Sequence, residues 1–106
     1  MYARNVSMHL ISNKVAEFTR TINNEVLPLL RKHKGFLDEI VLVVPSGSEA
    51  VEISLWDRKE SAEVYNRGTY PKVQKILTKV VEGTPTVRSY EVTNSTFHKI
   101  AVHAAA

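Results

Sequence analysis

Residues 36–56 read Phe-Leu-Asp-Glu-Ile-Val-Leu-Val-Val-Pro-Ser-Gly-Ser-Glu-Ala-Val-Glu-Ile-Ser-Leu-Trp. Two apolar runs, 36–44 and 50–56, flank Pro45-Ser46-Gly47-Ser48. β-Branched residues favour a pleated backbone, and a Pro-to-Gly cluster turns the chain. The stretch therefore predicts two strands joined as a hairpin. The second run alternates. The first is apolar in both phases: Leu37, Val41 and Val43 oppose Phe36, Ile40, Leu42 and Val44. A strand pair of this kind presents apolar groups on both faces of its sheet.

Upstream, residues 2–11 alternate, with Val6, Met8 and Leu10 in one phase and Asn5, Ser7 and His9 in the other. That period of two predicts a first strand. Ser12 or Asn13 is placed to cap a helix. Val15, Phe18, Ile22, Val26, Leu29 and Leu30 then recur at three- and four-residue spacing, one apolar helical stripe. Arg31-Lys32-His33-Lys34 puts cations at the C-terminal end, before Gly35. Pro28 removes a backbone hydrogen bond inside this stretch, so a kink or two helical pieces are expected.

Downstream, residues 57–65 read as a short helix, interrupted by Gly68-Thr69-Tyr70-Pro71. Val73, Ile76, Leu77 and Val80 form a second stripe, ending near Gly83. Residues 85–93 read as a fourth strand. The tail, 97–106, has a mixed pattern compatible with an extra edge strand or a loose end.

The order is β-α-β-β-α-β. It predicts an α+β, ferredoxin-like fold: a four-stranded antiparallel sheet with both helices on one face. The other face is bare and apolar, and a symmetric homodimer is the simplest way to cover it.

The chain has 106 residues, 43% hydrophobic and 24% charged. These values predict one ordinary folded domain, residues 1–106, and exclude a disordered chain. No repeat or linker divides it. The absence of cysteine excludes thiolate chemistry, a disulfide framework and cysteine-based metal sites, and fits a reducing compartment. No apolar run approaches the ~18–20 residues of a membrane span, and no signal-peptide pattern opens the sequence, so a cytoplasmic setting is expected. A net charge of +3 is too mild to argue for nucleic acid.

Four features in order carry a family resemblance: Ala3-Arg4-Asn5 in the first strand, Lys34-Gly35-Phe36 opening the second, Leu55-Trp56 ending the third with Ala62 and Tyr65 after it, and Tyr70-Pro71 before the second stripe. Over roughly residues 2–92 the chain resembles the antibiotic-biosynthesis-monooxygenase-like domain of the dimeric α+β barrel superfamily. The resemblance implies two protomers pairing sheet to sheet, each keeping a pocket between sheet and helices. Members oxidise polycyclic phenols with oxygen and no cofactor, bind and degrade haem, or carry out isomerisation or decarboxylation. The haem-degrading branch pairs an Asn on the first strand with a Trp and a His in the second helical region. Asn5 matches. Tyr65 stands at the Trp position and Lys75 near the His position, with no histidine between His33 and His98. Without an axial imidazole, haem chemistry is disfavoured.

The candidate residues follow. Asn5 is a strand amide able to hold a carbonyl or an oxygen species, or simply a solvated strand residue. His9 lies on the same strand face, ~13 Å along it, and is a possible base near neutral pH or a merely hydrogen-bonded imidazole. Trp56 is either a wall for a flat substrate or a core aromatic. Tyr65 and Tyr70 flank the Gly68 break and could orient a substrate oxygen or pack helix to sheet. Arg88 and Tyr90 share a strand face, with a salt bridge to Glu52 or Glu91 as the ordinary role for the arginine. His98 and His103 are five apart, a spacing that makes no metal site. Lys72, Lys75 and Lys79 recur as a solvated helix face. The third strand carries Glu52 and no stacking platform, which argues against RNA.

The expected function is a cofactor-independent monooxygenase acting on a small electron-rich aromatic, a phenol or hydroquinone. His9 and Asn5 would be catalytic, and Trp56, Tyr65 and Tyr70 would bind substrate. No metal or cofactor is implied, and the partners are a second copy and a small aromatic or apolar ligand. The alternative is a non-catalytic dimeric small-ligand binder on the same scaffold. Because both sheet faces are apolar, the sequence leaves open whether Asn5 and His9 line the pocket or the dimer seam.

Overall fold

The computed structural model describes residues 1–98. Its elements are β1 (Tyr2–Leu10), α1 (Val15–Thr21), a π-helical turn (Ile22–Val26), α2 (Leu27–Arg31), β2 (Phe36–Val43), β3 (Glu49–Trp56), α3 (Lys59–Gly68), α4 (Tyr70–Leu77) and β4 (Val81–Glu91). The strands form one antiparallel sheet in the order β2-β3-β1-β4. This is the ferredoxin-like arrangement the element order predicts. His103 and the tail from residue 99 onward lie outside the described residues.

The first helical stretch runs unbroken from Val15 to Arg31, and the irregularity that Pro28 leads one to expect is the π-helical turn that ends two residues before it. The π turn just before it has a packing reason. Phe18, Ile22, Val26 and Leu30 are all buried and spaced by four. In a regular α-helix each four-residue step overshoots a full turn by about 40°, so such a row would wind away from the sheet. A looser turn at Ile22–Val26 brings it back. The expected cap at Ser12 or Asn13 is not made. Asn13 sits at φ +63°, and α1 opens after Lys14 with no side-chain cap.

Helix-facing residues are the even positions of β1 and β3: Arg4, Val6, Met8 and Leu10, then Ala50, Glu52, Ser54 and Trp56. The register shifts in β2 between Phe36 and Asp38. This bulge overturns the simple alternation expected there. Phe36 pairs with Trp56 on the helix side, together with Glu39, Val41 and Val43, whereas Ile40 and Leu42 face outward. β4 also begins earlier than residue 85 and runs through Gly83 at φ +66°, beside a register shift against β1.

The outward face is bare in the protomer. Its β2–β3 half is apolar, with Ile40 and Leu42 exposed beside Val51, Ile53 and Leu55. Its β1–β4 half is mostly polar: Asn5, Ser7, His9, Thr86 and Arg88, with Tyr90 at one end. Among the described residues no helix is long and apolar enough to cross a membrane.

Candidate functional site

The sheet divides the expected site residues into two sets. Trp56, Tyr65 and Tyr70 lie on the helix side, buried. Asn5 and His9 lie on the outward face, in the same row direction as Arg88 and Glu49. One protomer therefore does not bring His9 to Tyr65 or Trp56.

The helix side carries charge that the alternation places but the reading of β1 overlooked. Arg4 is in phase with Val6, Met8 and Leu10, and Glu52 is in phase with Ser54 and Trp56. The register forms a cross-sheet row Glu39–Ser54–Arg4–Ser89, with Glu52 diagonal to Arg4. Glu52 thus lies on the opposite side of the sheet from Arg88, which corrects the expected pairing of those two.

Arg4 is 2% exposed. Its guanidinium lies 4.5 Å from the Tyr70 ring centre and 5.1 Å from that of Tyr65. Nη2 donates to Asn66 Oδ1 at 2.8 Å, and Nη1 has no partner. Among the described residues no carboxylate lies within 4.0 Å of it. A buried cation is costly unless paired. Two aromatic faces and one amide offset part of that cost and leave a donor directed at nothing.

Among the described residues three buried polar atoms lack partners: Arg4 Nη1, Tyr70 Oη and Glu39 Oε2. Native interiors leave few such atoms, and an unpaired buried donor marks a place for a polar guest. Glu39 and Glu52 hydrogen-bond each other. Burial is the main force holding Glu52 well above the usual carboxylate range. Glu39's hydrogen bond and charge add to it, and Arg4 opposes it. Glu39 is raised by burial, against the pull of the Glu52 hydrogen bond and of Arg31. Two adjoining carboxyls resist ionising together, because the second charge would sit beside the first. Burial likewise pushes the Tyr65 and Tyr70 phenols up.

Trp56 is 0% exposed and offers no surface to a ligand. Its ring centre lies 5.2 Å from Tyr65 and 5.6 Å from Phe36, and its Nε1 donates to Ser54 Oγ at 2.9 Å. His33 meets Tyr65 edge-on at 5.3 Å and shares a 2.6 Å hydrogen bond with Thr69 Oγ1 through Nε2. These side chains stiffen the wall behind Tyr65 and Tyr70.

A cleft of about 280 Å³ opens between α3 and the β1–β4 edge, with Tyr2, Arg4, Glu63, Asn66 and Val87 in its lining. It is at the small end of ligand sites, sized for one or two fused rings. A second hollow, about 380 Å³, lies on the outward face against Ser7, His9, Leu42, Glu49, Val51 and Thr86. His9 is 72% exposed there, with Nδ1 3.6 Å from Glu49 Oε1. Lys72, Lys75 and Lys79 are exposed, and Lys79 pairs with Glu25 at 2.7 Å. His98 pairs with Asp38. Among the described residues no group of three or more acidic or imidazole side chains is arranged for a metal ion.

No family model and no curated protein matches the sequence. Solved structures do. A monooxygenase from the ActVA-Orf6 gene of Streptomyces coelicolor, in complex with nanaomycin D, is 13% identical over 92% of each chain, with a TM-score of 0.75. A putative antibiotic biosynthesis monooxygenase from Deinococcus radiodurans is 13% identical over 98% of this chain and all of its own, at 0.72. A point mutant of MhuD with two manganese protoporphyrins bound per active site is 14% identical over 91% of this chain and 98% of its own, at 0.71. At such identities the likeness establishes the fold and not the chemistry.

Proposed function

We propose that this chain, which has the antibiotic-biosynthesis-monooxygenase-like fold, is a small-molecule oxygenase whose substrate is a hydroxyarene held as its anion on Arg4. The observation that carries the reading is the buried guanidinium with an undirected donor and, among the described residues, no carboxylate within 4.0 Å, set beside a cleft that it lines. A phenolate oxygen is the complement of that group: anionic, compact and attached to a flat ring. Tyr65 and Tyr70 position the ring by way of the guanidinium, which rests in the corner their two adjoining rings make. The overall change is hydroxyarene plus O₂ to quinone plus water. Ionising the phenol makes the ring electron-rich enough to reduce oxygen itself, so the electrons come from the substrate and no separate reductant enters the balance.

Haem does not fit. On α4, where the resemblance places an axial imidazole, Lys75 points into solvent, and the Nε2 of His33 is engaged by Thr69. The outward face belongs to this proposal as the seam between two copies, with Ile40 and Leu42 against their counterparts and Asn5 and His9 near the seam. Ile40→Asp with Leu42→Asp is expected to convert a species of twice the chain mass into one of the single chain mass in analytical ultracentrifugation. A wild-type protein sedimenting as one chain at micromolar loading removes the dimer.

Oxygen uptake with one- and two-ring phenols tests the activity. Arg4→Ala is expected to lower kcat/KM about 10–100-fold, the loss of a charge-assisted contact of ~1.5–3 kcal/mol. His9→Ala distinguishes the two hollows. Turnover that follows His9 and ignores Arg4 would move the site to the outward face and overturn this reading. Binding without uptake by any phenol leaves a ligand-binding protein of the same fold.

A further inference from the structure

We propose that Glu39 and Glu52 are the proton store of this site: a hydroxyarene that settles on Arg4 as its anion leaves its proton on the carboxyl pair, not in solution. The inference rests on the Arg4 reading above and adds where the proton goes. Glu39, Ser54 and Arg4 occupy one cross-sheet row beneath α3 and α4, and Glu52 fills the diagonal. Ser54 is the small residue between acid and base. Glu39 Oε2 is buried with no partner, an acceptor in place for a proton. Among the described residues the charged or titratable groups that act on the pair are Arg4 from β1, the exposed Arg31 from α2, Tyr65 from α3 and Tyr70 from α4.

Charge neutrality gives the physical reason. With one proton on the pair, Arg4, Glu52 and the half-buried Glu39 sum to zero, and Arg31, which is exposed, is screened by solvent. An incoming anion alone would make that sum −1 in a medium of low dielectric, which is expensive. An incoming neutral phenol whose O–H breaks, with the oxygen held by Arg4 and the proton on Glu39 or Glu52, keeps the sum at zero. No oxidation state changes in this step. The pair therefore selects ligands that arrive protonated and ionise inside, and disfavours permanent anions such as carboxylates.

Binding of a nitrophenol tests this, because its anion is coloured and its neutral form is not. In the wild type the bound probe is expected to be yellow below its solution ionisation pH. Affinity there should be independent of pH, because complex and free components hold the same number of protons. Above that pH, affinity should fall about tenfold per pH unit, since the pair must then draw a proton from water. In Glu39→Gln/Glu52→Gln the profile is expected to invert: flat above the ionisation pH and falling about tenfold per unit below it. Identical profiles in the two proteins, with Arg4-dependent binding intact, overturn the proton store and leave the Arg4 site standing. Binding that does not depend on Arg4 overturns both. Calorimetry of the wild type in two buffers of different ionisation enthalpy decides the matter even if the double variant does not fold. No net proton exchange below the ionisation pH is expected, and release of one proton per probe bound refutes the store.

Discussion

Trp56→Ala is expected to remove about 3–5 kcal/mol of stability, near the top of the range for a single core truncation. The indole is fully buried at the end of β3. It packs against Phe36 from the bulged end of β2 and Tyr65 from α3, with His33 at 6.2 Å, edge-on. Alanine there leaves a ring-sized void that three separate elements would have to move to fill. It also strands Ser54 Oγ, which now accepts the indole N–H, in the same row as Arg4 and Glu39. Trp56→Phe tests the two contributions separately. It restores most of the ring and leaves the hydroxyl orphaned, so about 1–3 kcal/mol of the loss should persist. Denaturant midpoints at one fixed protein concentration measure both, since a protein that pairs gains apparent stability with concentration. A Trp56→Ala cost under about 1 kcal/mol would show that the aromatic wall behind Tyr65 and Tyr70 is plastic, and a preorganised Arg4 site would lose its support.

The same neighbourhood shows what the sequence could disclose. The fold was legible because each element repeats its own period over enough residues. Tyr2–Leu10 alternates, the 15–30 stripe turns with a helix, the breaker at Pro45–Ser48 falls between strands, and Gly68–Pro71 spans the end of α3 and the start of α4. The site was less legible because it depends on facing, which a period does not assign. The resemblance points to Asn5 and the imidazole chemistry to His9, but their phase is that of Ser7, which the sheet turns away from the helices. The informative residues were those that break the opposite phase. Arg4 ahead of Val6, Met8 and Leu10, and Glu52 between Ala50 and Ser54, are charges where a buried face demands apolar groups. A charge out of place in an apolar row was the available signal. In β2 even that rule fails, since the bulge at Leu37 reverses the parity of Phe36 relative to Ile40. Glu39 therefore turns inward for a reason that no local pattern contains.

Gly35→Ala is expected to cost about 2–5 kcal/mol, and Gly68→Ala to change stability in the opposite direction. Gly35 holds φ at +87°, where an L-residue incurs ~1–2 kcal/mol of strain. A methyl group at this position would also run into Asp57 Oδ1 and the side chain of Ser61. Those two groups are already locked together, with Ser61 Oγ donating to Asp57 Oδ1 at 2.6 Å, and Asp57 N donating to Gly35 O at 2.8 Å. Overpacking such a junction typically adds ~1–3 kcal/mol. The close approach has a consequence for the site. It fixes the connection after α2 against the start of α3, so that Phe36 lands on Trp56, and α3 carries Tyr65 and Asn66 to Arg4. Gly68 closes α3 with open space around it and an ordinary backbone. Alanine there should stabilise by about 0.5–1 kcal/mol, because a helical glycine loses more backbone entropy on folding than alanine does. Thermal midpoints of the two variants should therefore move apart, with Gly35→Ala also weakening phenol binding and Gly68→Ala sparing it. A Gly35→Ala protein with native stability and undiminished binding would show that α3 is positioned over Arg4 by some other contact.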